Sequence, residues 1–181
     1  MSAITSSVAV ILFGELLDLS RLEAGRPLDL HLRPPDLVGL IHEEAAAQQL
    51  RSERHTIRFQ AEPAELIGEW DAARIARVAA NLLSNAVKYS PAGGTITVTV
   101  AREGNDWAIL CVRDEGVGIP ATDLPHIFER YQRGANVARW IAGTGIGLSG
   151  AHQIIEQHGG MISVESVEGE GSVFTVYLPL T

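Results

Sequence analysis

Three side chains with ligand chemistry recur at helical spacing in residues 71–89: Asn81, Asn85 and Lys88. On a helix turning about 100° per residue they fall within about 60° of one another. Ile75, Val78, Leu82 and Ala86 occupy a separate arc, the side that would face a core. A carboxamide oxygen is a hard ligand of the kind Mg2+ accepts, and an ammonium suits a phosphate. A solvated polar face would use the same residue types. Against that plainer reading stands the cost of two asparagines inside a helix, where they compete with the backbone for hydrogen bonds.

A second constellation is Asp114-Glu-Gly-Val-Gly-Ile119-Pro120, at the end of an alternating apolar run. A carboxylate beside two glycines can accept from an exocyclic amine while the backbone closely approaches a ring. Alone, Asp-x-Gly-x-Gly also fits a calcium loop or a simple turn. The third is Gly143-Thr144-Gly145-Ile-Gly147-Leu148, three alternate glycines running into a helix. It offers backbone N–H groups and a helix N-terminus to a polyphosphate. No Gly-Lys-Ser/Thr follows, so it is not a Walker A loop. Its spacing and the lack of a preceding βαβ unit also set it apart from the dinucleotide fingerprint. Between these two lie Phe128-Glu-Arg130-Tyr-Gln-Arg133 and Arg139, basic residues of the type that reaches a terminal phosphate. Each arginine taken singly is equally well a surface charge.

The elements that must position these groups follow from periodicity. Residues 4–23 read as an amphipathic helix, with Leu12, Leu16 and Leu19 on one stripe. Pro27, Pro34 and Pro35 mark a linker over 27–35. Asp36 caps a helix to about residue 49, and Asp71 caps the asparagine-bearing helix to about residue 89. Residues 56–60 alternate as a strand and 65–70 suggest another. Hairpins are expected over 95–113 and 161–178, with a short helix at 124–128 and a longer one at 146–157 closed by Gly159-Gly160. The result is an α/β protein (an α+β two-layer sandwich) with a mixed, mostly antiparallel sheet, helices on one face, and one preceding N-terminal helix.

Bulk properties narrow the function classes. The 181 residues are 46% hydrophobic and 20% charged, with a net charge of -8. That acidic balance argues against nucleic-acid binding, which needs a basic face. The single cysteine, Cys111, excludes an internal disulfide framework and reads as a small buried hydrophobe. The apolar run 8–13 is too short for a membrane span and lacks a signal peptide's basic flank. It reads as a helix face in need of a partner.

Taken in order, the constellations resemble the sequence boxes of sensor histidine kinases. Asn81-Leu-Leu-Ser-Asn85-Ala-Val-Lys88-Tyr89-Ser-Pro91 resembles the N box and Asp114-Glu-Gly116-Val-Gly118 the G1 box. Ile127-Phe128-Glu-Arg130 resembles the F box, Gly143 to Leu148 the G2 box, and His158-Gly-Gly160 the turn after it. The likeness covers about residues 36–180. It implies the Bergerat-type ATP-binding fold of the GHKL superfamily, and ATP with Mg2+ as cofactors. It also implies roles by position. Asn85 is the metal ligand, with Asn81 close to the metal and phosphates. Lys88, Arg130 and Arg133 reach phosphates, and Tyr89 packs on adenine. Asp114 accepts from the adenine amino group, with Gly116, Gly118 and Ile119 shaping the pocket. Phe128 anchors the lid, and Gly143, Thr144, Gly145, Gly147 and Leu148 hinge it and cradle phosphates.

The resemblance extends to Leu16-Leu-Asp-Leu-Ser-Arg-Leu-Glu-Ala-Gly25, which looks like the end of a dimerisation and phosphoacceptor helix. The implied domains are 1–26, part of that helix, 27–35, the linker, and 36–181, the catalytic ATP-binding domain. None of the six histidines fits the phosphoacceptor; His42 is the nearest lookalike but lies beyond the linker. The implied protein is a two-component protein-histidine kinase acting through its own dimerisation domain in a homodimer and onward to a response regulator. The ATP domain is expected in the cytoplasm, whether or not the parent protein is anchored in the inner membrane.

Three alternatives stand beside this one. An ATP-hydrolysing switch related to topoisomerases and chaperones would carry a water-activating glutamate where Asn81 stands. A serine-phosphorylating relative would ordinarily lack the 16–25 helix. A degenerate interaction module would not need the boxes intact. One departure is Gly150, which weakens the helix after the glycine run by up to about 1 kcal/mol relative to Ala. Trp140, in the short lid, has no assigned role.

Overall fold

Asp36 turns an extended approach into the first helix. In the computed structural model, which describes residues 29–129 and 146–180, its carboxylate accepts from the N–H groups of Val38 (3.1 Å), Gly39 (2.9 Å) and Leu66 (2.9 Å). Burial opposes its ionisation, yet these three donors outweigh it and hold the carboxyl below the ordinary carboxylate range. This cap starts α1, Leu37–Arg51, which buries Leu37, Val38, Ile41 and Ala45. The chain divides into two compact units, Met1–Leu30 and His31–Thr181. The expected helix over 4–23, Arg130, Arg133, Arg139, Trp140, Gly143, Thr144 and Gly145 lie outside the described residues.

After α1 come β1, His55–Glu62, α2, Ala72–Lys88, β2, Gly94–Glu103, and β3, Trp107–Asp114. A single 3-10 turn spans Leu124–His126, followed by α3, Gly147–Gln157, β4, Met161–Val167, and β5, Gly171–Pro179. The five strands form one sheet in the order β1-β2-β3-β5-β4. β1 runs parallel to β2 and every other pair is antiparallel. The crossover from β1 to its parallel neighbour is made through α2, as a parallel pair requires. This is the expected mixed, mostly antiparallel sheet.

Alternation supplies the core. Ile96, Val98 and Val100 of β2, Leu110 and Val112 of β3, and Phe174, Val176 and Leu178 of β5 are buried, as are their α2 and α3 counterparts Ile75, Val78, Leu82, Leu83, Ile154 and Ile155. Each such side chain contributes about 1.5–3 kcal/mol by leaving water. The register Val98↔Val112↔Phe174 places these residues in one row beneath the helices.

Three local expectations are corrected. Residues 65–70 form no strand: Ile67 and Trp70 make only isolated bridges to Asp36 and Arg33. The reason is Trp70, fully buried, whose Nε1 donates to the Pro179 carbonyl at 2.8 Å and whose ring lies where a Gly68 side chain would be. The helix expected at 124–128 is one 3-10 turn, Leu124–His126, with Pro125 in its first turn. Cys111 is half-buried and not in the core, since it alternates with the buried Leu110 and Val112 and so lies on the opposite sheet face.

Two helices carry the candidate site, and buried polar groups fix them. Asp71 caps α2, accepting from Arg74 N–H at 3.2 Å and from His31 N–H at 2.9 Å. His158, at the end of α3, donates from Nδ1 to the Ile154 carbonyl at 2.7 Å. Its Nε2 accepts from Asp71 N–H at 3.0 Å. The C-terminus of α3 is therefore tied to the N-terminus of α2.

Candidate functional site

The asparagine stripe is real and joins the last glycine of the G2-like run. Asn81 and Asn85, both half-buried on α2, are linked by a bond from Asn85 Nδ2 to Asn81 Oδ1 at 3.2 Å. Among the described residues, Asn85 Oδ1 has no hydrogen-bond donor. Gly147, the first residue of α3, lies against them: a Cβ there would be 2.6 Å from Asn81 Oδ1 and 2.9 Å from its Nδ2. Only glycine allows this approach without moving the carboxamide. Leu148 follows, half-buried. The N-cap residue Ile146 provides no side-chain cap, and the N-terminal end of α3, which carries a partial positive charge, lies beside Asn81.

The C-terminus of α2 meets the loop after β3. Tyr89 N–H donates to Asn85 carbonyl at 2.8 Å, closing the helix, and Tyr89 carbonyl accepts from Val117 N–H at 2.9 Å. Lys88 Nζ stands 5.0 Å from the centre of the Tyr89 ring. Asp114, the last residue of β3, is 5% exposed, and its Oδ1 accepts from Gly116 N–H at 2.9 Å. Burial pushes its carboxyl up, against the opposing pull of the Gly116 and Ser172 backbone donors. A side chain on Gly116 would strike the Tyr89 carbonyl and would lie 2.7 Å from Ser90 Oγ and 2.8 Å from Asp114 Oδ1. Gly118 has φ +65, and a Cβ there would strike the Val167 carbonyl. Ile119 N–H donates to Ser166 Oγ at 2.8 Å, pinning the loop to the β4–β5 hairpin.

Asn81 lies eight residues before Tyr89 along α2, about 12 Å at about 1.5 Å per residue, with Asn85 midway between them. That separation suits a ligand with a planar amine-bearing group at one end and a polyphosphate at the other. Phe128 stacks on His152 of α3, with ring centroids 5.2 Å apart. Among the described residues, no group of three or more His, Cys, Asp or Glu could hold a metal by itself.

Of the expected site residues, the fold brings together Asn81, Asn85 and Gly147 at one end and Tyr89, Asp114, Gly116 and Gly118 at the other. Three polar residues at the site were missed: Ser90, 2% exposed and with no partner for its Oγ among the described residues, and Ser166 and Ser172. Ser90 adjoins Tyr89 in the motif and could have been noticed. The others are far in sequence from the loops they touch and carry no local signal.

Residues 70–181 match the family described as histidine kinase-, DNA gyrase B-, and HSP90-like ATPase. The chain is 37% identical over 173 residues to the circadian input-output histidine kinase CikA of Synechococcus elongatus, covering 93% of this chain and 23% of that protein. It is 39% identical over 117 residues to the sensor histidine kinase WalK of Bacillus subtilis, covering 64% and 19%. Among solved structures, the mycobacterial sensor histidine kinase MprB superposes with a TM-score of 0.74 at 28% identity, covering 81% of this chain and 97% of that one. The catalytic domain of histidine kinase ThkA gives 0.72 at 28% identity, covering 83% and 97%. This chain belongs to the histidine kinase-, DNA gyrase B- and HSP90-like ATPase family, and its similarity runs to the sensor histidine kinases within it. It spans about a fifth to a quarter of the length of CikA and WalK.

Proposed function

We propose that this chain is the ATP-delivering catalytic domain of a two-component sensor histidine kinase, with residues 36–181 as the nucleotide-binding unit, 27–35 as a linker and 1–26 as part of a dimerisation helix. The observation that carries the reading is that the C-terminal half of α2 meets Gly147 through its Asn81–Asn85 pair and, at its end, meets the Asp114–Gly118 loop through the Tyr89–Ser90 peptide. One structural relative, full-length ShkA, was solved in complex with AMPPNP.

In this reading the Asp114 carboxylate accepts from the adenine amino group, and Tyr89 packs on the ring. Gly116 and Gly118 leave the backbone bare beside it. Asn85, whose Oδ1 has no donor among the described residues, fits as the protein ligand of Mg2+, and Asn81 lies next to it. Bound Mg2+ would offset phosphate charge, completing its shell with phosphate and water oxygens. Lys88, Arg130 and Arg133 contribute further positive charge, while Gly143, Thr144, Gly145 and Gly147 cradle the phosphates.

The reaction is a phosphoryl transfer. A histidine nitrogen on the dimerisation domain attacks the γ-phosphorus, the bond to the β–γ bridging oxygen breaks, and ADP leaves. The phosphoryl group then passes to an aspartate of a response regulator. Because imidazole supplies its own lone pair, the ATP domain acts by positioning and charge neutralisation. Asparagine at position 81, where hydrolysing relatives of the family would need a general base, favours transfer over hydrolysis.

Calorimetry tests the reading directly. The chain should bind Mg-ATP, and Asn85→Ala should abolish binding while leaving the thermal midpoint within a few degrees. Unchanged affinity in Asn85→Ala would remove the metal assignment. Incubation with γ-labelled ATP should leave this chain unlabelled; an acid-labile, alkali-stable label would place a phosphoacceptor within it.

A further inference from the structure

β1 begins with a buried histidine that the ATP-binding residues do not explain. His55 is 7% exposed, and its two ring nitrogens are both engaged. Nε2 lies 2.8 Å from the Ser90 carbonyl, and Nδ1 lies 2.6 Å from Ser52 Oγ. A carbonyl can only accept, so Nε2 carries the hydrogen. In the neutral ring, Nδ1 then accepts from the Ser52 hydroxyl. The ring thus has a defined tautomer and orientation, set by a serine just past the end of α1.

The bond is placed where α2 turns into its following loop. Ser90 opens a tight turn with Pro91 at its second position. The Ser90 carbonyl accepts from Gly93 N–H at 2.9 Å, closing that turn, and also from His55. The preceding carbonyl, that of Tyr89, accepts from Val117 N–H in the loop after Asp114. Two successive carbonyls are therefore held by different elements, one by the glycine loop and one by the start of β1. Gly116 packs bare against this same peptide, beside Asp114 Oδ1 and Ser90 Oγ.

We propose that His55 is a positioning residue for the base end of the nucleotide site. It fixes the Tyr89–Ser90 peptide against the Asp114–Gly118 loop, so that the Tyr89 ring and the Asp114 carboxylate keep their spacing. The proposal rests on the reading that these two residues meet adenine. His55 acts through the Ser90 carbonyl. A displacement of that carbonyl moves Tyr89, the end of α2 and the loop in contact with it.

The test uses His55→Leu, which keeps the volume without the donor, and His55→Gln, whose amide Nε2 can reach the same carbonyl. Affinity for ADP without metal is measured by calorimetry below each variant's melting range, together with hydrogen exchange at the Val117 amide in nucleotide-free protein. His55→Leu should weaken ADP binding about tenfold and speed Val117 exchange. His55→Gln should return both to within about threefold of the parent. A lower melting temperature in His55→Leu with unchanged affinity and exchange would overturn the proposal, leaving a purely structural histidine. So would failure of a folded His55→Gln to restore either readout. If the parent chain binds no nucleotide, the ATP reading fails, and the exchange measurement alone decides the positioning role.

Discussion

The first residue of α3, Gly147, and the Asn81 carboxamide of α2 are packed so closely that a methyl group on Gly147 would stand 2.6 Å from Oδ1. The obstructing atoms belong to the far end of a side chain and not to backbone. A substitution there is relieved by swinging Asn81 aside, which breaks the bond from Asn85. The cost therefore falls on the site more than on the fold. Gly147→Ala should weaken Mg-ATP binding at least tenfold while moving the thermal midpoint by no more than a few degrees. Full affinity in this variant would show that the Asn81–Asn85 geometry is not needed for the ligand.

Asp114 gives a pH dependence of defined sign. Burial raises its carboxyl pKa in the folded chain, so between the ordinary carboxylate value of about 4 and the raised value the folded state binds more protons than the unfolded. This group's contribution to stability is fully present below that window and falls as pH rises through it. Asp114→Asn removes the effect. The midpoint of the variant minus that of the parent should therefore become more positive between pH 4 and pH 7, measured by thermal melting. A difference that stays flat with pH would refute the buried carboxylate. At neutral pH the same variant should bind ATP more weakly, because the acceptor loses its charge.

Gly150 offers the opposite kind of test. It lies within α3, and nothing stands within 4 Å of where its Cβ would be. Adding that methyl lowers the conformational entropy of the unfolded chain without a clash. Gly150→Ala should stabilise the protein by about 0.5–1 kcal/mol, read from denaturant unfolding, with ATP affinity unchanged. A loss of stability would mean that this stretch needs glycine for a reason its surroundings do not reveal.

Local signals carried most of the elements. Asp36 and Asp71 announced their helices because a carboxylate at the N-cap is a short-range device, and both caps form as expected. Alternation located the strands of the two hairpins and the Asp71 helix showed its apolar arc, because each is a one-dimensional periodicity. The segment 65–70 misled for the same reason: its composition suits a strand, but the destination of the Trp70 indole, the Pro179 carbonyl, lies 109 residues away. Cys111 also read as core from its apolar neighbours, and only the sheet decided which face it occupies.

By itself the sequence determined the chemistry available, namely two carboxamides on one helical stripe, a carboxylate before two glycines, and an asparagine where a hydrolase would need a base. It determined the family through the order of those pieces. The tertiary structure decided which pieces meet. Gly147 comes to Asn81 because His158 ties the far end of α3 to the cap of α2. Gly116 comes to Tyr89 because β3 ends one loop away from the end of that helix. His55, Ser90 and Ser166 became part of the story only there, since a hydrogen bond between residues far apart in sequence leaves no spacing to read. Proximity between distant segments is set by the packing of the whole core, and no local pattern encodes it.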